Sequence, residues 1–130
     1  MSDAFDADVI IYASTDTQTG SALRKLIDEV VGPLGSVVLL PETLSKPLRD
    51  ANASECEAIR RLLSRFDLKE VDLEIADAAA TLAAKYRLRA ADAIHLATAV
   101  VWGAERFHTN NRKDFGPHIQ EVEVVWPATS

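Results

Sequence analysis

The sequence predicts an α/β fold in which a mostly parallel central sheet of four or five strands carries helices on both faces. Two features support that prediction. Short apolar runs suited to buried strands alternate with longer stretches whose apolar residues recur at helical spacing. No linker, repeat or low-complexity segment interrupts the alternation, so residues 1–130 read as one domain, enough chain for one core and too little for two.

The chain begins with Ala4-Phe5-Asp6 and continues to Val9-Ile10-Ile11-Tyr12, with acids at 6 and 8. Local propensity favours a strand over residues 9–12. A strand that ends at Asp6 and a short helix after it fit equally well, and periodicity does not separate the two over so few positions. Asp8 reads as a helix N-cap more than as a ligand. Residues 14–20 form a polar loop. A helix from about Ser21 carries Leu23, Leu26, Ile27 and Val30 and stops at Gly32-Pro33. Residues 36–40 read as a short buried strand. Pro41 suits the first turn of a helix over residues 42–44, and Pro47 limits its regular extent.

Ser54-Glu55-Cys56-Glu57 reads as a capping box that opens a helix bearing Ile59, Leu62, Leu63 and Phe66. Those four residues are either core or an apolar surface for a homodimer or a protein partner. Residues 68–71 form a connector or an edge strand. Asp72 caps a helix with Ile75, Ala79, Leu82 and Tyr86 on its buried face. The most apolar helical run follows, with Asp92 in its first turn, Leu96, Val100 and Ala104 along its apolar face, and a C-cap near Gly103. Residues 106–109 read as a strand, 110–115 as a polar turn and 122–126 as a last strand.

Composition narrows the class. Apolar residues make up 48% and charged ones 26%, as in ordinary globular proteins. No run approaches the ~18 apolar residues of a membrane span, and the first residues lack the basic-then-apolar pattern of a secretion signal. Cys56 is the one cysteine, which excludes an internal disulfide and a cysteine-based zinc cluster and suits a reducing cytoplasm. The formal net charge of -6 disfavours a simple electrostatic nucleic-acid binder. A site that collects a divalent cation eases that objection.

Open parallel sheets place ligands at the carboxyl ends of their strands. Asp6 follows the first strand, Glu42 the second, and Asp92 lies where its helix begins; Thr109, Asn111 and Asp114 follow a later strand. Hard oxygen donors from separate segments suit Mg2+ or Mn2+, which retain several waters. Clustered carboxylates repel one another unless a cation sits among them. The metal would then generate a nucleophilic water for attack on phosphorus. The expectation is that oxygens from positions 6, 42 and 92 share one coordination sphere.

Plainer readings stand beside these. Asp6 suits a strand-end turn, Glu42 a helix dipole, Asp92 a cap, Thr109 and Asn111 a turn, and Asp114 the cap of a short helix. His95, one turn beyond Asp92, reads as a hydrogen-bonded core histidine close to the site. Arg60, Arg61, Arg65 and Lys69 form a stripe best read as a solvated face. Arg112 and Lys113 flank the acids and are the better candidates for substrate phosphate, with Arg24, Lys25, Lys46 and Arg49 on the rim.

In order along the chain, Asp6-Ala7-Asp8-Val9-Ile10-Ile11-Tyr12, Pro41-Glu42-Thr43-Leu44, Ala91-Asp92-Ala93-Ile94-His95-Leu96-Ala97-Thr98-Ala99 and Thr109-Asn110-Asn111-Arg112-Lys113-Asp114-Phe115 resemble the successive motifs of PIN domains. They look most like the short VapC-like toxins of bacterial toxin–antitoxin pairs. The resemblance implies a PIN-like fold, a Mg2+- or Mn2+-dependent endoribonuclease acting on RNA, and an antitoxin protein that inhibits it. It also implies Asp6, Glu42, Asp92 and Asp114 as catalytic acids, with Asp6 and Asp92 on the metal. Thr109 and Asn111 would then hold water or substrate. Two positions depart from the pattern: Asp8, where the family commonly has Asn or Ser, and Asn111, where many members carry Asp. A non-catalytic PIN-like module binding RNA or protein is the alternative, with Asn111 as its support. An aspartate-nucleophile phosphatase, with Asp6 phosphorylated and Asp8 as acid/base, ranks third.

Overall fold

The computed structural model describes residues 2–127. Their elements run β1 (Asp3–Phe5), α1 (Ala7–Ala13), α2 (Gln18–Glu29), β2 (Leu34–Ser36), α3 (Leu39–Arg49), α4 (Ala53–Leu63), β3 (Asp67–Lys69), α5 (Leu73–Tyr86), α6 (Ala90–Val101), β4 (Arg106–His108) and β5 (Glu123–Val125). The strands form one sheet in the order β3-β2-β1-β4-β5, with every neighbouring pair parallel. Helices cover both faces, as predicted. Ala4 is in register with Leu34 and Phe107, and all three join a core made with α5 and α6 through Ile75, Ala79, Leu82 and Leu96. Phe5 turns the other way, as alternation along a strand requires. There Val9, Ile10, Leu23, Ile27, Leu39, Leu44, Ile59 and Leu63 from α1–α4 close a second core.

Several elements differ from the sequence reading, each for a local reason. Residues 9–12 are helical: Val9, Ile10 and Ala13 are buried at helical spacing while Ile11 and Tyr12 face outward, so packing overrides β propensity. The N-cap of α1 is Asp6, not Asp8, because the strand stops at Phe5. α2 starts earlier than expected because Thr17 caps it by accepting from the Gly20 N–H (2.9 Å). β2 spans Leu34–Ser36, not residues 36–40: the Ser36 hydroxyl accepts from the Val38 N–H (3.1 Å), turning the chain so that Leu39 opens α3. α3 passes through Pro47 for two further residues. Asn52, not Ser54, caps α4; its Oδ1 accepts from the Glu55 N–H (3.1 Å) and its Nδ2 donates to Glu55 Oε2 (3.2 Å). Ile59, Leu62, Leu63 and Phe66 are core residues, the first of the two readings the sequence left open. Asp72 caps α5 as predicted, and Gly103 follows α6 in the left-handed region (φ 71).

Two close contacts hold the frame. At Gly20 a Cβ would overlap the Thr15 carbonyl and lie 2.9 Å from the Tyr12 carbonyl, so only glycine lets α2 fold back against α1. At the other end of the sheet, Lys85 Nζ donates to Glu121 Oε2 (2.8 Å) and the Tyr86 hydroxyl to Glu121 Oε1 (2.6 Å), tying α5 to the segment before β5. Burial raises the Glu121 carboxyl, but these donors outweigh it and bring the pKa down to about 2.

Gly20→Ala is expected to lower the urea midpoint, against the ~0.5–1 kcal/mol gain that alanine ordinarily brings to a helix interior. Because the folded pKa of Glu121 lies below its unfolded value, its contribution is present above pH 4.5 and lost as pH falls towards about 2. Glu121→Gln should therefore cost up to ~1 kcal/mol at pH 7, the scale of a surface ion pair. In acid denaturation series the two proteins should converge only below about pH 2.

Candidate active site

β1 lies between β2 and β4, and the chain leaves β1 toward one neighbour and returns on the other side. The carboxyl ends of β1 and β4 therefore flank a topological switch point, where a parallel sheet opens a crevice. Asp6 follows β1 and Thr109 follows β4. The Asp6 N–H donates to the His108 carbonyl (2.9 Å). Its Oδ1 accepts from the Ala7 N–H and its Oδ2 from the Thr109 hydroxyl, both at 2.8 Å. Asp6 is only 4% exposed. Burial is the largest influence on its carboxyl and raises the pKa; the Asp92 charge adds to this, and His95, Thr109 and Ala7 oppose it.

The other predicted residues gather around this point. Asp92 sits in the first turn of α6; burial raises its carboxyl, and the charges of Glu42 and Asp114 raise it further. Glu42 sits in the first turn of α3, where Oε1 bonds His95 Nε2 across to α6. Asn111 Nδ2 donates to Asp114 Oδ2 (3.0 Å), and Asn111 Oδ1 accepts from the Asp114 N–H (3.2 Å). The Asn111 N–H in turn donates to Thr109 Oγ1 (3.0 Å), linking the 109–114 loop to Asp6. The Arg112 guanidinium lies 4.9 Å from the Trp126 ring centroid, and Lys113 is exposed.

Asp8 belongs to this group, contrary to its reading as a cap. Its carboxylate accepts from the Asn110 N–H through both oxygens (3.2 and 3.1 Å). Burial and then the Asp6 charge push its pKa up to about 6. The signal was present in the sequence as Asp-x-Asp, but its meaning depended on where β1 ends. Of the basic residues, Arg61 pairs with Glu57 and Arg65 with Asp28 on the solvated face expected of that stripe. Lys69 departs from it, lying on β3 with its side chain 20% exposed, paired with Asp67 and 3.9 Å from the Trp102 ring centroid. Arg24 donates to the Ala13 and Thr15 carbonyls at the C-terminal end of α1, the end opposite the Asp6 cap.

The donors are carboxylate oxygens that raise one another's pKa, the chemistry a divalent cation relieves. Among the described residues, no three His, Cys, Asp or Glu groups form a ready-made metal cage, so the single coordination sphere expected for positions 6, 42 and 92 is not preassembled. The set fits an ion that takes one or two carboxylates and keeps most of its waters. It fits an aspartate nucleophile poorly, since both Asp6 oxygens are engaged and buried.

A parallel α/β sheet thus brings carboxylates from four segments into electrostatic contact around its switch point. The PIN domain family model matches residues 4–116, and the chain belongs to that family, which implies a nuclease in general. Among solved structures, a chain of a toxin–antitoxin complex from Klebsiella pneumoniae is 26% identical with a TM-score of 0.77, covering 95% of this chain and 96% of its own. Two further matches show the fold. One is VapBC2 from Rickettsia felis bound to a DNA fragment from its promoter (16% identical, TM-score 0.73, covering 96% and 98%). The other is DNA-bound VapBC from Salmonella typhimurium (15%, 0.68, covering 96% and 97%). No curated protein matches the chain.

Thr109→Val keeps the shape of this fully buried side chain and removes its hydroxyl from Asp6 and Asn111. It is expected to destabilise the protein by ~1–3 kcal/mol at pH 7, the cost of an unsatisfied buried acceptor, read from urea unfolding.

Proposed function

We propose that the protein is a divalent-metal-dependent endoribonuclease, the toxin of a toxin–antitoxin pair. One observation carries the reading: Asp6, Asp92, Glu42 and Asp114 arise from separate segments yet act on one another electrostatically at the switch point. Family membership supports nuclease chemistry, and the likeness to a toxin–antitoxin complex chain supports the biological role. No helix among the described residues is long and apolar enough to cross a membrane.

Asp6 and Asp92 would hold Mg2+ or Mn2+, with Glu42 and Asp114 completing the acid set. When bound, the cation supplies Lewis acidity toward water and phosphate and offsets the clustered negative charge. Thr109 fixes the Asp6 carboxylate, and Asn111 fixes Asp114. Arg112 and Lys113 would contact the RNA backbone, which positions substrate without reading its sequence. The acidic site also suits a cationic segment of the antitoxin, an Arg above all, as competitor for the same charge.

Asp6→Asn and Asp92→Asn should each lower Mn2+-dependent cleavage of single-stranded RNA by at least about 100-fold, the low end for loss of a group acting directly in the chemistry. Circular dichroism should show the fold retained. Wild-type cleavage by either variant would overturn the assignment. RNA or antitoxin binding with no cleavage by the wild type would favour the non-catalytic module.

A further inference from the structure

His95 lies on α6 one turn beyond Asp92, and its side chain is fully buried (0% exposed). Nε2 bonds Glu42 Oε1, joining α6 to α3 across the site. Nδ1 is buried as well and has no hydrogen-bond partner among the described residues. An unpaired buried nitrogen costs stability that a leucine in the same space would not incur. Packing alone is therefore a poor reason for an imidazole here. The polar capacity of the ring goes to Glu42, whose side chain is 34% exposed and carries the rotamer freedom of a long acid. Glu42 in turn acts on Asp92.

We propose that His95 is the positioning residue for Glu42, its Nε2 bond holding that carboxylate in one rotamer beside Asp92 at the cost of a buried, unpaired Nδ1. The inference rests on the ribonuclease reading. Its role is to orient an acid, so it acts only through Glu42.

The test compares wild type, His95→Leu, His95→Gln, Glu42→Gln and the double variant His95→Leu/Glu42→Gln, with Asp92→Asn as control. The measurements are kcat and KM on single-stranded RNA with Mn2+, Mn2+ affinity by calorimetry, and urea unfolding. His95→Leu should unfold at the same urea concentration or higher, with kcat or Mn2+ affinity down about 10- to 100-fold, the range for removing a group that orients a metal-site ligand. KM for RNA should stay within about twofold. His95→Gln, whose amide nitrogen can take the place of Nε2, should recover part of the loss, and the double variant should be no worse than Glu42→Gln.

Wild-type kcat and Mn2+ affinity in His95→Leu would overturn the inference, as would a double variant whose losses multiply. If Asp92→Asn is then inactive, the ribonuclease reading stands and only the role of His95 falls. A wild type that neither cleaves RNA nor binds Mn2+ overturns both. Should His95→Leu fail to fold, His95→Gln and His95→Asn decide: recovery by the longer amide alone supports positioning, and equal activity in both overturns it.

Discussion

Asp6 follows the first strand, caps the first helix and receives the hydroxyl of Thr109, the residue after the neighbouring strand, all while 4% exposed. A carboxylate buried this deeply is tolerated only where donors meet it, and here the donors come from the chain's own geometry. Parallel pairing of β1 with β4 puts Thr109 opposite, and the bond from the Asp6 N–H to the His108 carbonyl extends that pairing past the end of β1. Even so, desolvation outweighs the donors, and the carboxyl stays above its ordinary range. The fold therefore places a poorly compensated acid at its switch point, and the rest of the site is organised around it.

Charge explains why the surrounding residues are what they are. Asp8 feels Asp6, Asp6 feels Asp92, and Asp92 feels Glu42 and Asp114. Each of these couplings disfavours the ionised state, so near-neutral pH is where the protein bears most of this repulsion without a cation. Asn111 tempers it: its amide donates to Asp114 from Nδ2 and accepts from the Asp114 N–H, whereas a carboxylate there would add repulsion. The departure from the family pattern at this position thus exchanges a charge for a clamp on the neighbouring acid.

The parallel sheet, both helical layers and the acids at the strand ends were legible because they depend on apolar alternation and on where strands stop; the order of the strands was not. What was not legible turned on local hydrogen bonds and on packing. Val9-Ile10-Ile11-Tyr12 has the propensity of a strand, and only the core made with α2 and α4 makes it a helix. The end of β2 depends on one Ser36 hydroxyl, and the start of α4 on Asn52 capping ahead of Ser54. Asp8 could not be placed until α1 was known to start at Ala7. The pairing of His95 with Glu42 joins residues 53 apart, a separation no local pattern encodes.

The precision of the site follows from what carries it. Asp92 and His95 belong to a helix whose Leu96, Ala97 and Ala99 are fully buried, so α6 cannot shift without opening the core it shares with α5 and the sheet. Small residues at Ala93, Ala97 and Ala99 leave room for that close packing, and the buried Thr98 hydroxyl is satisfied within the helix by the Ile94 carbonyl (2.8 Å). Asp6 and Glu42 likewise lie at the starts of α1 and α3, anchored by Val9, Ile10, Leu39 and Leu44 in the second core. Each side of the sheet thus supplies acids to a crevice between the two cores. Mutual repulsion among carboxylates is opposed by apolar packing some distance away, and it is this separation of duties that lets a small domain keep an under-neutralised site in one geometry.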